Sequence, residues 1–405
     1  MGRKKQTLKY DVRNVAPAPN FSLLEGVNDY GGELWRWGDD NNLPLRLERL
    51  ARANAIHRGI INSKSNYISG KGFICDDKNA ALLDIVERAN GTQSLAEVVR
   101  GIIYDRALFG NYFIEIAVCK GRPLFFHQDA SRCRVSKPDN EGLQSVIISK
   151  DWANHNKDYD KSLPLYPRFV KDKNDVMRSI YHGFDYEPTF EHYGVPTYIA
   201  GLTSARIGSK TGNWNEDRLD NSFQPSGVME LVDENATGEE LEKLTQDLQS
   251  KYAGKPGQVM FMAGNSAGSS KFTPIQSDNE GDWLNLHTVS KNDMVTAHSW
   301  FISLAGLDYS TGISADRILS EYSVALSTVI EPEQARILGV LRGILGGLGV
   351  DAEMLEFVNK APILAKPQYM RVWEARKADG LSYDENDPAQ QIYLAQITAK
   401  QQSNG

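Results

Sequence analysis

The chain has 405 residues, 41% hydrophobic and 24% charged, which suits a soluble protein with two or three packed regions. A net charge of −7 excludes a broad basic surface, so any contact with DNA is local or weak. Three cysteines (Cys75, Cys119, Cys133) lack metal spacing and read as reduced thiols of a cytosolic protein; no apolar run approaches the ~20 residues of a membrane span. The basic start Arg3-Lys4-Lys5 precedes no apolar core, so a cytoplasmic product without a signal peptide is expected.

Met1 to about Asp40 carries Pro17, Pro19 and scattered aromatics. It reads as an extended arm, with Trp35 and Trp37 lying on another surface. Leu43–Ser69 has apolar residues at helical spacing and predicts one helix, closed by Gly70 and Gly72. A strand is expected at Phe73–Cys75. A helix over Ser94–Phe109 opens with a capping box, Ser94 to Glu97. Gly110-Asn111 turns it into a strand at Tyr112–Val118, and further strands are expected at Leu124–His127, Arg132–Ser136 and Leu143–Ser149. The polar stretch from Trp152 to about Tyr193 holds short strands near Leu165–Val170 and Ser179–Phe184. This is an α+β region with a mainly antiparallel sheet.

Phe190–Leu307 organises the chain. A helix opens at Gly194-Val195-Pro196 and stops at Pro225 and Gly227. An insert follows, with a strand at Val228–Val232, an amphipathic helix at Glu239–Tyr252, and strands at Gln258–Met262 and Lys271–Ile275. A second long helical pattern spans Asp278–Gly306, ~43 Å at 1.5 Å per residue. Two long helices holding a small module need neighbours to cover their sides. Leu307–Ser320 is rich in Gly and Ser and reads as a loop or broken helix. A helix covers Leu319 to about Leu348, interrupted near Glu331-Pro332. Ala361–Tyr369 is expected as a strand and Pro388–Lys400 as a last helix.

Four stretches resemble the portal proteins of tailed bacteriophages: Arg106–Ile116, Tyr193–Leu202, Phe223–Leu231, and Ile302–Leu307 followed by a loop, Tyr322–Ile330 and Pro332. The resemblance covers roughly Leu43–Leu348 and rests on order and spacing. It implies a portal-type α+β fold with wing, long-helix stem, small α/β clip and helical crown, assembled as a ring of about twelve subunits around a channel. The implied parts are an N-terminal arm at 1–42, wing at 43–193, stem helices at 194–224 and 278–306, clip at 225–277, channel loop at 307–320, tunnel helix with returning strand at 321–375, and a short crown or tail at 376–405. The implied role is a DNA conduit at one capsid vertex of the virion, made in the host cytoplasm and used for packaging, head–tail joining and ejection. The implied partners are the homo-oligomeric ring, double-stranded DNA in transit, the major capsid protein, the terminase motor and head-completion or adaptor proteins, with no membrane. Two portions depart from the family: the crown is short, and the arm matches nothing in it.

Trp283, Trp300 and Phe301 are candidates for burial between subunits. The second stem helix carries Asp278, Glu280, Asp282 and Asp293 against Lys291 alone, and the clip has seven acidic and four basic side chains. Such a wall would keep the duplex mobile, because tight Lys/Arg contacts to phosphate would hold it. Asp308, Tyr309, Ser310, Thr311 and Gly312, with Arg317, form the candidate DNA-channel loop, set against a plain surface turn. Gly208-Ser209-Lys210-Thr211 lacks the glycines and preceding strand of a phosphate loop, so packaging energy must come from a partner. His287 and His298 lie about three helical turns apart, too far to share a metal. No catalytic residue, metal or cofactor is expected, and the chain is read as not an enzyme. The alternatives are a cytoplasmic enzyme with an unrecognised hydrolase-type site, or another ring adaptor of the phage neck. A monomer with bound metal or nucleotide would favour the first, and adaptors are much shorter chains.

Overall fold

In the computed structural model the chain is described over residues 32–152, 160–220, 227–232, 237, 239–240, 243, 247, 259–264, 271–274, 280–307, 315–362, 370–378 and 382–393. It divides into two units, the first comprising Met1–Ala53 and Asp105–Pro196, the second Asn54–Tyr104 and Thr197–Gly405.

The first unit is built on antiparallel strands. β2 (Asn111–Cys119) is buried along most of its length and pairs with β3 (Arg122–Gln128) and β8 (Met177–Phe184); β7 (Val170–Lys171) adds to β8. A central strand flanked on both edges and covered on both faces reads as a mostly apolar run, which Tyr112–Val118 is apart from Glu115. Its residues Phe113, Ile114 and Ile116 form the core with Phe125 and Ile180. A second sheet has the order β4 (Cys133–Val135), β5 (Ser145–Ile148), β6 (Lys161–Pro164). Helix α1 (Leu43–Ala53) lays Leu43, Leu47 and Leu50 on the core. The described end of the arm packs against its own chain: Trp35 N–H donates to Val135 O at 2.9 Å, and Trp37 stacks on Tyr193 at 4.6 Å. Arg134, fully buried, lies over both Trp37 and Trp152 and donates to Asn41 Oδ1 and O. Burial without a facing carboxylate brings its pKa down to about 10.

The second unit is mainly helical. α2 (Ala55–Ser69) starts at Asn54, whose extended backbone ends α1 and whose Oδ1 caps His57 N–H. The single helix expected over Leu43–Ser69 is therefore two, because Asn54 supplies a side-chain acceptor that a helical interior does not need. β1 (Phe73–Ile74) and α3 (Ala80–Glu87) follow, and α4 (Leu95–Phe109) passes from this unit into the first. The Ser94–Glu97 capping box is present, with Ser94 N–H on Glu97 Oε2 at 2.8 Å and Glu97 N–H on Ser94 Oγ at 3.3 Å. Thr197–Gly201 forms a 3₁₀ turn that leads into α5 (Leu202–Asp220).

β9 (Gly227–Val232) lies between β10 (Val259–Gly264), to which it is parallel, and the antiparallel β11 (Lys271–Pro274). A parallel pair requires a crossover. The helix expected over Glu239–Tyr252 falls mostly outside the described residues, though Glu239, Glu240, Lys243 and Asp247 are helical and Glu240 caps Thr237.

α6 (Glu280–Ala297) runs antiparallel to α5, with Gly201 beside Ala297 and Met294, and Gly208 beside Ser290. Ser290 Oγ–H donates to Ser204 O at 2.5 Å, and Ser204 Oγ–H to Asp293 Oδ2 at 2.9 Å. α6 has 18 residues, ~27 Å, and does not reach Gly306 as expected. Ser299 takes a left-handed conformation (φ 49°), Trp300 N–H donates to Val295 O, and Ser299 N–H donates to Thr296 O. These two bonds form a Schellman closure. A serine, not a glycine, occupies the left-handed position, so the residues carry no stop signal there.

α7 (Ala315–Ala325), a π turn (Leu326–Ile330) and α8 (Glu331–Gly347) then make one continuous helical run. The interruption expected at Glu331-Pro332 is absorbed, since the wide turn, closed by Glu331 N–H on Leu326 O, accommodates a ring that has no N–H to give. β12 (Glu356–Phe357) pairs with β1. Ala361 and Pro362 are not strand, and the rest of the expected Ala361–Tyr369 strand is outside the described residues. The expected helix at Pro388–Lys400 is turns up to Tyr393, where Asp387 O and Oδ1 accept the following N–H groups, and lies outside the described residues beyond it. The helix here is instead α9 (Val372–Ala378).

Candidate functional site

Two of the four stretches singled out in the sequence meet in the first unit. Gly110 (φ 69°) ends α4 and Asn111 begins β2, and both press against Gly194-Val195-Pro196. A Cβ on Gly110 would lie 2.5 Å from Val195 C, and one on Gly194 would lie 2.4 Å from Gly110 O. Asn111 has no exposed surface. Its Nδ2 donates to Phe109 O at 2.9 Å and Gly194 O at 2.8 Å; its Oδ1 accepts from Gly194 N–H at 2.9 Å and bonds His182 Nε2 at 3.0 Å. Burial takes the His182 pKa down to about 3, so the imidazole is neutral and Nε2–H is the donor. Arg106 reaches Asp185 through Nε at 3.0 Å and Nη2 at 2.6 Å. One amide, two close backbone approaches and an ion pair thus fix where the chain leaves the sheet.

Two buried carboxylates of this unit are matched. Glu115, 2% exposed on β2, accepts from Lys161 Nζ, Arg178 Nη1 and Gln128 Nε2 at 2.6–2.7 Å, and Arg178 also holds Asp172. Asp105 Oδ2 takes His127 Nε2 at 2.7 Å and Ala130 N–H at 2.8 Å. Burial pushes the Asp105 carboxyl up; burial opposes charge on His127, but its bond to Asp105 outweighs that and raises its pKa. These groups satisfy one another.

In the second unit, the segments on either side of the expected channel loop are anchored. Lys64 Nζ donates to His298 O, Ser63 Oγ–H to Leu304 O at 2.7 Å, and Trp300 Nε1–H to Ser63 Oγ at 3.2 Å. Tyr67 lies beside both Trp300 and Tyr322. A second Schellman closure, Leu307 N–H on Ile302 O with Gly306 at φ 69°, ends the entry turn. Glu321 on α7 then ties the two flanks: Oε2 accepts Ser303 N–H at 3.0 Å, Oε1 accepts Ser303 Oγ–H at 3.1 Å, and Arg317 Nε–H reaches Oε1 at 3.0 Å. Nearby, His57 Nδ1 and His298 Nε2 share a hydrogen bond of 2.9 Å against the Tyr198 ring. Burial lowers the His57 pKa to about 4 and His298 well below its ordinary value, and raises Tyr198.

Of the residues named from sequence, Asp308, Tyr309, Ser310, Thr311 and Gly312 lie outside the described residues, as does the side chain of Trp283. Trp300 is 5% exposed and packs against Tyr67 and Ser63 of its own chain. Phe301 is half-buried. Arg317 is 45% exposed and paired with Glu321. Gly208–Thr211 is inside α5, and His298 is partnered by His57 rather than His287. Among the described residues no cluster of His, Cys, Asp or Glu could hold a metal, and no helix is long and apolar enough to cross a membrane. Sequence reasoning missed Glu321, Ser303 and Ser63; an acid four residues after Arg317 was the one local sign of them.

No family model matches the sequence. The chain is 23% identical over 269 residues to a probable portal protein of Haemophilus phage HP1 (strain HP1c1), covering 64% of this chain and 68% of that one. It is 24% identical over 266 residues to an uncharacterized protein of Rickettsia bellii (strain RML369-C), covering 63% and 64%. Its fold is similar to a chain in the neck of an empty GTA particle computed with C6 symmetry, with a TM-score of 0.55 and 17% identity over 84% of this chain and 94% of the other. The neck of the native GTA particle computed with C12 symmetry gives a TM-score of 0.52 at 18% identity and the same coverage. The fold is of the phage portal type.

Proposed function

We propose that this portal chain closes into a ring of about twelve copies at one capsid vertex and serves as the conduit through which DNA is packaged, held and ejected. The observation that carries this reading is the fold likeness over 84% of the chain to neck chains of particles, joined by a sequence relative bearing the portal name. In this reading 43–193 is the wing, α5 and α6 are the stem, β9–β11 belong to the clip, and 307–320 faces the channel. The role is structural, with the capsid protein, the terminase motor and head-completion proteins as partners. Leu286 and Val289 on α6 are 38% and 55% exposed, and supply apolar surface for a neighbouring copy better than Trp300 does.

Electron microscopy of the purified protein tests the ring directly: end-on views should show closed rings with a central hole. A compact single subunit at every concentration and salt would refute it. Deleting Tyr309–Ile313 should leave rings intact and impair packaging or retention; unchanged genome content in assembled particles would remove the loop from the mechanism.

A further inference from the structure

We infer that the second unit carries a small anion site: the cavity between the end of α2, α7 and the segment after β12 receives a phosphate monoester. The cavity holds about 270 Å³. Pockets for drug-sized ligands run to roughly 300–1,000 Å³, so this one suits a small molecule and excludes a duplex. The end of α2 and the turn after it contribute Asn66, Tyr67 and Lys71, α7 contributes Tyr322, and the segment after β12 contributes Asn359 and Lys360. No Asp or Glu is among its described lining residues.

The donors that line it are unused. Tyr322 is 7% exposed, yet its hydroxyl makes no hydrogen bond among the described residues. The ammonium groups of Lys71 and Lys360, the hydroxyl of Tyr67 and the amide of Asn66 are likewise without a partner among the described residues. A buried hydroxyl with no partner costs free energy that a bound acceptor recovers. Burial raises the Tyr322 pKa, with Tyr67 and Glu331 adding to it, and burial raises that of Tyr67, so both phenols keep their protons and donate.

The walls are set before a ligand arrives. Gln334 Nε2 donates to Ile68 O on α2 at 2.9 Å and to Asn359 Oδ1 at 2.8 Å, and Asn359 Nδ2 donates back to Gln334 Oε1 at 2.9 Å. Lys71 N–H donates to Val358 O at 2.8 Å, and Val358 N–H to Gly72 O at 2.9 Å. The rings of Tyr67 and Tyr322 lie 5.8 Å apart. Preformed walls spare a ligand the cost of ordering them.

Charge decides the class of ligand. Two ammonium groups match a phosphate monoester, which carries about −1.5 to −2 at pH 7 and three acceptor oxygens. A carboxylate has one charge and two oxygens, and leaves one lysine unmatched. The C-terminal end of α2 opposes an anion with about half a negative charge, which the two lysines outweigh. The site does not depend on the ring, since every residue in it belongs to one unit of one chain.

The test is calorimetric titration of the purified full-length protein with inorganic phosphate, adenosine monophosphate and acetate, using wild type, Lys71→Gln, Lys360→Gln and Tyr322→Phe. The two phosphates should bind, and acetate should bind much more weakly. Each Lys→Gln should weaken phosphate binding about tenfold, the worth of one charge-assisted hydrogen bond. Tyr322→Phe, which keeps the ring against Tyr67, should weaken it about threefold. Thermal melting without ligand should be unchanged in the lysine variants, because both side chains are exposed. Equal affinity for the two phosphates would mean that the phosphate group alone is received, and tighter nucleotide binding that the base is received with it; either supports the site. No binding of either phosphate to wild type would overturn the inference. Binding that survives all three substitutions would overturn it too, because the anion would then lie elsewhere. Smaller assemblies of the lysine variants, with no phosphate bound by wild type, would assign the lysines to a neighbouring copy instead and end the proposal.

Discussion

Replacing Asn111 by alanine should damage the first unit more than its small side chain suggests. Asn111 is fully buried and its amide makes four hydrogen bonds, two given by Nδ2 and two received by Oδ1. Truncation orphans Phe109 O, both backbone groups of Gly194 and His182 Nε2. Each buried orphan costs about 1–3 kcal/mol, with partial relief where water enters, so a loss of about 4 kcal/mol is expected. For a unit of this size that lowers the midpoint by about 8–16 °C. Urea unfolding followed by tryptophan fluorescence reads it, since Trp35, Trp37 and Trp152 lie in this unit and Trp37 stacks on Tyr193. Asn111→Asp should not rescue, because it loses both donors and turns a carboxylate towards two carbonyl oxygens. A loss below 1 kcal/mol at unchanged slope would refute the argument that this amide ties the helix–strand turn to Gly194.

Gly194→Ala should prevent the first unit from folding, since its Cβ meets backbone at 2.4 Å, whereas Gly339→Ala, exposed on α8 with open space around it, should stabilise by about 0.5–1 kcal/mol; thermal midpoints of the two separate these outcomes. Stability should fall as pH drops from 6.5 towards 4. In that window the unfolded chain protonates His57 and the folded chain, with its pKa near 4, does not, so the unfolded state binds more protons; His57 contributes about 3 kcal/mol of this loss by pH 4, with His182 and His298 adding to it, and His57→Gln should reduce the slope of urea midpoint against pH. Leu286→Ser with Val289→Ser should shift the purified protein from rings to smaller species in light scattering while leaving its helical circular dichroism unchanged.

Much of the fold was legible where local chemistry was unambiguous. The Ser94–Glu97 box marked the start of α4, and the apolar run from Tyr112 marked the central strand within a residue or two. Stops were missed where an unusual residue made them: Asn54 between α1 and α2, and Ser299 in the left-handed position at the end of α6. The opposite error came at Pro332, where a π turn lets the helix continue. The pairing of β1 with β12 joins residues far apart in the chain, and no local pattern announces it. The loop-base cluster was invisible for the same reason. Ser63, Ser303 and Glu321 are ordinary surface residues until three segments bring them together. Burial of Trp300 within its own chain was not legible, because a large aromatic suits an interface and an interior equally.

The π turn has a further consequence. Tyr322 and Ala325 face inward on α7, and the next inward residue is Ile330, followed by Gln334, Ile337, Leu341 and Ile344. An unbroken α-helical count from Tyr322 and Ala325 would have placed that first contact at Val329, so the wide turn acts as a one-residue spacer that re-phases two stretches of helix. Deleting a single residue from Leu326–Ile330 would therefore turn the wide turn into an ordinary α-helical one and keep Ile337 and Leu341 facing inward, whereas one extra residue there would swing everything beyond by about 100°.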